Sequence, residues 1–102
     1  MIMNEEMLYM VQFEILYPDD MEFMDLIPKQ RKLINQYFVD GKLMNYSLNK
    51  ERSKLWAIFK TDTEMELVAL IDSLPLSRFM DYSYDELLFN NSISMIPTIS
   101  LN

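Results

Sequence analysis

The chain of 102 residues contains no cysteine and no histidine, and Gly41 is its one glycine. Without cysteine there is no disulfide, no thiolate metal site and no thiol nucleophile. Without histidine there is no imidazole base near neutral pH, no Ser-His-Asp triad and no His-bearing metal site. A single glycine is too few for phosphate-cradling loops of the P-loop or dinucleotide type, and no Asp/Glu spacing resembles a calcium loop. The expectation is therefore a protein without metal or cofactor. Basic residues are also scarce, with Lys+Arg 9 against Asp+Glu 16 and a formal net charge of −7. No basic run can follow a phosphate backbone, so nucleic acid is not an expected partner. No apolar run approaches the roughly 18 residues of a membrane span. The start Met1-Ile2-Met3-Asn4-Glu5-Glu6 is acidic where a signal peptide is basic. A cytoplasmic protein without membrane contact is the default.

What is present is a globular composition: 50% hydrophobic and 13% aromatic residues. That content argues against disorder and for a single domain over 1–102, with one modest core. Residues 8 to 17 alternate, with Tyr9, Val11, Phe13, Ile15 and Tyr17 on one face and Leu8, Met10, Gln12, Glu14 and Leu16 on the other. Pro18-Asp19-Asp20 breaks this strand and offers an N-cap. Met24, Ile27, Ile34, Phe38 and Leu26, Leu33, Tyr37 then keep helical spacing up to Gly41, which suits a left-handed C′ position. Pro28 either kinks this helix or opens its main portion.

Leu43 to Asn49 and Leu55 to Lys60 read as strands joined by the turn 50–53. Thr63 and Glu66 are spaced as a capping box for a second helix, whose inner side is expected to carry Met65, Val68, Ile71 and Leu74. Pro75 stops it. A fourth strand fits Met80 to Phe89, followed by the Asn90-Asn91-Ser92 loop and a β-prone tail containing Pro97. Ten methionines scatter over helices and strands, as adaptable packing residues do.

A βαββαβ order with two helices on one face of an antiparallel sheet predicts an α+β, ferredoxin-like sandwich. The opposite sheet face then holds Leu8, Met10, Leu16, Trp56 and Ile58, with Gln12 and Glu14 among them. So much apolar surface calls for a partner sheet. A homodimer or higher homo-oligomer follows, with residues 93–102 as an extra C-terminal strand packing on a neighbouring subunit.

The string Leu74-Pro75-Leu76-Ser77-Arg78-Phe79-Met80-Asp81 resembles the C-terminal signature of the muconolactone isomerase family, in which L-P-L-x-x-aromatic-M-D closes a helix and enters a strand. Met7-Leu8-Tyr9 with Val11, Phe13, Ile15 and Pro18 is similar to the family's first strand, and Gly41 falls where its first long helix ends. The likeness extends over residues 7 to 92 or so, the core of the domain. It implies a dimeric α+β barrel and an isomerase that moves a double bond in a small unsaturated lactone by proton transfer.

Such chemistry needs a base, a donor for the enolate oxygen and a cation for a substrate carboxylate. Glu14 is the candidate base, expected in an interface cleft where desolvation makes a carboxylate a usable one. Its plain alternative is an ion pair with Lys54 or a solvated position. Tyr46, Tyr82 and Tyr84 are candidate donors, although strand tyrosines usually serve the core. Arg52 and Lys54 are candidate cations in the hairpin, where charges are also common for solubility. The expected catalytic set is Glu14, Tyr46 and Arg52; substrate contacts are expected from Gln12, Lys54, Trp56 and Tyr82, and from Asn90, which the resemblance places at a pocket rim. Two function classes follow: a cofactor-free isomerase, or a small-ligand-binding or oligomerisation module of the same fold without chemistry. A shared cavity holding Glu14 and a donor separates them.

Overall fold

A computed structural model describes residues 6–90 of the chain. The element order is β1 (Met7–Ile15), α1 (Met21–Val39), β2 (Leu43–Leu48), β3 (Lys54–Thr61), α2 (Glu64–Asp72), a short 3₁₀ turn (Ser77–Phe79) and β4 (Met80–Leu87). The strands form one antiparallel sheet in the order β2-β3-β1-β4. This is the ferredoxin-like α+β arrangement. The tail 93–102 and the residues Asn91 and Ser92 lie outside the described residues, and the extra strand expected there with them.

Alternation along β1 produces a two-sided sheet. Tyr9, Val11 and Phe13 are buried on the helix side, as are Leu55, Ala57 and Phe59 of β3. Leu67 and Ile71 of α2 and Phe23, Ile34 and Tyr37 of α1 close over them. On the other side Leu8, Met10 and Trp56 are half-buried and Ile58 is buried. That side is less exposed than expected. β3 is an interior strand, and Ile58 lies between Met10 and Asn45 in the register, so its neighbours shield it.

Both helix starts are capped by side chains. The Asp20 carboxylate accepts from the N–H groups of Glu22 and Phe23 at 2.8 and 3.2 Å. Thr63 accepts from the Glu66 N–H at 3.0 Å, while the Glu66 carboxylate accepts from Asp62 N–H at 2.9 Å, one residue before the cap. Lys42 beside Glu66, at 2.7 Å, holds that carboxyl below the usual range. α1 ends at Val39 with Asp40 as its C-cap, and the next residue, Gly41, has a φ of 73°, in the left-handed region where a Cβ is strained. The Gly41 N–H donates to Phe38 and the Lys42 N–H to Tyr37, the paired bonds of a Schellman ending.

The expected helix stripes are buried in part: Ile34, Tyr37, Ile71 and Leu74 are in the core. Met24 and Phe38 are exposed, and the buried positions of α1 are Phe23, Gln30, Ile34 and Tyr37. In α2 Met65 is exposed and Leu67 is buried. The buried face of α1 draws on both expected sets, Ile34 from one and Tyr37 from the other, and packing on the sheet selects among the apolar positions. Pro28 lies inside a single continuous helix instead of opening it. α2 stops at Asp72, and Leu74-Pro75-Leu76 leads into the 3₁₀ turn, where Phe79 meets Phe23 edge to face at 5.6 Å. Arg78 pairs with Glu22, fastening the turn to α1. Tyr84 of β4 donates to the Glu64 carboxylate, which with burial pushes the phenol up to about 12.

Candidate functional site

The register of the sheet sorts the candidate residues. Gln12 lies opposite Trp56 on β3 and Ser83 on β4, and Glu14 lies opposite Lys54 and Asp81. Because period-2 alternation keeps directly opposed residues on the same face, Gln12, Glu14, Lys54 and Trp56 share the open side. The indole Nε1–H of Trp56 donates to Gln12 Oε1 at 3.3 Å. An indole N–H can only donate, so the amide oxygen must face it and the Gln12 NH₂ stays available. Glu14 is exposed at the rim of a groove of about 190 Å³ formed with Gln12, Asp81, Tyr82 and Ser83. It makes no ion pair with Lys54; the ion pairs among the described residues are Lys42–Glu66, Lys60–Glu6 and Arg78–Glu22.

Tyr46 and Arg52 are elsewhere. Tyr46 lies opposite Ala57, which is fully buried under the helices, so its ring belongs to the helix side. There it lines a cleft of about 360 Å³ between α1 and the end of the sheet, with Phe23, Ile27 and Leu55 among its apolar walls. Arg52, in the β2–β3 turn, and Arg31, on α1, stand exposed at its mouth. Tyr82 lies opposite Phe13, its ring 6.0 Å from Phe13 and 6.2 Å from Tyr84. Asn90 follows β4 beyond the end where Leu87 pairs with Leu8. From Asp81 to Leu87 a strand runs about 20 Å, so Asn90 and Glu14 are at opposite ends of the sheet. The expected single constellation of Glu14, Tyr46 and Arg52 is thus divided by the sheet itself, because residues of opposite parity on paired strands point to opposite faces.

Gln30 and Arg31 were not among the expected site residues. Gln30 is 3% exposed, three residues after Ile27 and four before Ile34, and a polar residue inside an apolar stripe is the signal that marks it. Its Oε1 accepts from the Leu76 N–H at 3.1 Å, and its Nε2 donates to the Tyr46 hydroxyl at 3.0 Å. Burial pushes the Tyr46 phenol above its ordinary range, the bond from Gln30 opposing, so the hydroxyl is protonated at neutral pH. Among the described residues no group of three carboxylates is placed to hold a metal ion, and no helix is long and apolar enough to cross a membrane.

A four-stranded antiparallel sheet with two helices on one side and a mixed polar and apolar open side defines a ferredoxin-like α+β protein. The family model for muconolactone delta-isomerase matches residues 7–88, and the chain belongs to that family. Among solved structures it is similar to a muconolactone isomerase, at 22% identity and a TM-score of 0.72 over 85% of this chain and 95% of the other. A protein of Pseudomonas aeruginosa matches at 12% identity and a TM-score of 0.52, over 87% of this chain and 99% of that one. These identities speak for the fold. No curated protein matches the chain.

Proposed function

We propose that the protein is a cofactor-free isomerase that moves a double bond in a small unsaturated lactone or related carbonyl compound. Family membership supports the reaction class. The observation that carries the reading is the patch on the open face, where Glu14, Gln12, Lys54 and Trp56 are cross-strand neighbours. In this reading the Glu14 carboxylate takes a proton from a ring carbon acidified by the conjugated carbonyl, and the electron pair moves into the ring as an enolate. The same carboxyl then returns the proton to a different carbon, so nothing is gained or lost overall. Gln12, its oxygen committed to Trp56, offers its NH₂ to the enolate oxygen. Lys54 faces a substrate carboxylate, and Trp56 forms the apolar wall.

A second copy of the chain, laid against the open face, would exclude water from the patch and make a homodimer. The test is hydrogen–deuterium exchange into muconolactone in D₂O, followed by NMR. General base catalysis contributes about 100-fold to 10,000-fold, so Glu14→Gln is expected to slow exchange by that range with the fold preserved. Exchange at the wild-type rate in that variant removes Glu14 as the base. The separation of Tyr46 and Arg52 from Glu14 favours a second reading, a ligand-binding module without chemistry. Binding of the lactone to the wild-type protein with no exchange selects that one.

A further inference from the structure

The two helices border different edges of the sheet. The cleft at Tyr46 lies between α1 and the β2 edge, whereas a groove of about 420 Å³ runs between α2 and β4, the opposite edge. Glu64, Val68 and Asp72 recur at four-residue spacing and so share one face of α2. Met65, Val68 and Ala69 give the groove an apolar floor, Tyr84 forms its wall, and a carboxylate stands at each end. At a rise of 1.5 Å per residue those carboxylates are about 12 Å apart along the helix.

Each carboxylate acts on a tyrosine of β4. Tyr84 donates to Glu64, and burial together with the Asp72 charge raises the Tyr82 phenol. The two rings stack at 6.2 Å with 21° between their planes, an aromatic surface bordered by negative charge. Asp72 is the informative residue. Glu64, in the first turn of α2, is favoured by the helix macrodipole, but Asp72 closes the last turn, where a negative charge is disfavoured and no basic residue offsets it. The ion pairs among the described residues include neither Glu64 nor Asp72. Met65 is 83% exposed, an unbranched and adaptable apolar side chain left in water beside them. Stability alone explains neither the charge nor the exposed thioether. A cation on an aliphatic stem satisfies both.

We propose that this groove binds a linear aliphatic diamine, with one ammonium on Glu64 and the face of Tyr84, the other on Asp72, and the methylene chain laid on Met65 and Val68. Ammonium groups are attracted to aromatic faces, and the net charge of −7 favours their approach. The site is independent of the isomerase reading: Glu14 is on the open side, whereas Tyr84 pairs with the buried Val11 on the helix side.

The experiment is NMR titration of the ¹⁵N-labelled full chain with 1,8-diaminooctane, 1,4-diaminobutane and octylamine, in about 0.15 M salt to screen diffuse attraction. The long diamine matches the spacing of the two carboxylates; the short one cannot span it, and octylamine lacks the second charge. The long diamine is expected to bind about 5-fold more tightly than either, the scale of one exposed ion pair. Its shift changes are expected at Met65, Val68, Ala69 and Tyr84 and not at Gln12 or Gln30. Asp72→Asn is expected to reduce its affinity to that of octylamine. Ala69→Lys, a good helix former at an exposed position, is expected to abolish binding of all three. Equal affinities for the three amines, no shifts in the groove, shifts spread over the acidic surface, or full affinity in an Asp72→Asn protein with an unchanged circular dichroism spectrum would each overturn the proposal. A Glu14 that proves inert in proton exchange leaves these outcomes as they are, so the two readings fail separately.

Discussion

The two faces of the sheet are made from the same strands, yet they are organised by different physics. On the helix side Val11, Ala57 and Phe59 are wholly inaccessible, and aromatic rings meet edge to face, as Tyr9 does with Tyr84 and Tyr37 with Phe59. On the open side polar and apolar residues alternate between strands, and the named contact is one hydrogen bond from Trp56 to Gln12. The first face stores the stability; the second exposes chemical groups that stability does not need. Glu14 and Asp81 illustrate it: two carboxylates directly opposed across β1 and β4 repel each other, an arrangement that selection for stability alone would remove.

The contrast is sharpest between neighbours on one strand. Phe13→Ala removes a ring that is 1% exposed, and a loss of about 3–5 kcal/mol is expected in urea unfolding. Glu14→Ala, one residue away, is expected to change stability by no more than about 0.5 kcal/mol. Equal losses at the two positions would break the division between faces.

The next effect belongs to the open side. If a second copy covers it, Trp56→Asp places an unpaired charge in the interface and is expected to weaken association by about 100-fold or more. Analytical ultracentrifugation reads this directly. A wild-type chain that sediments at 12.2 kDa at micromolar concentration would leave the open face without its cover.

A smaller loss tests the polar seam within the helix side. Gln30→Leu keeps the bulk but strands the Leu76 N–H and takes the donor from Tyr46, a cost of about 1–3 kcal/mol. A gain in stability would mean that the amide is tolerated, not used.

The smallest effect is electrostatic. Lys42 and the Asp62 N–H hold the Glu66 carboxyl below the ordinary value of 4.5 for a free glutamate. A lowered pKa contributes stability above pH 4.5 that is lost as pH falls through the folded value. Glu66→Gln is therefore expected to lower stability at pH 7 and to make the decline below pH 4.5 shallower, as thermal melts at a series of pH values would show.

Much of the fold was legible because its signals are local. The break at Pro18, the Asp20 and Thr63 caps, the left-handed Gly41 and the period-2 pattern of β1 each act within a few residues, and each occurs where the local chemistry places it. The inner stripe of each helix was legible in part, through Ile34, Tyr37 and Ile71. Met24 and Phe38 are as apolar as Phe23 and Tyr37, and only contact with the sheet ranks them. The candidate site was legible in half. Gln12, Glu14, Lys54 and Trp56 share a face because alternation along each strand and the register of β1 on β3 bring them together, whereas Tyr46 and Arg52 cannot join them through the sheet. Gln30 went unseen because helical spacing marks it as a polar break in a stripe without saying what it reaches.

The sequence by itself determined which residue chemistry is absent, the order of strands and helices with their bounds to within two residues or so, and which side of β1 is apolar, since these follow from residue type and local backbone preference. Only the tertiary structure decided that Gln30 links Leu76 to Tyr46, 46 and 16 residues apart in the chain, and that Arg31 and Arg52 converge on one cleft. Such contacts join elements distant in sequence. The register of β2 on β3 and the seating of α1 on the sheet set them, and both are won by packing the whole core at once.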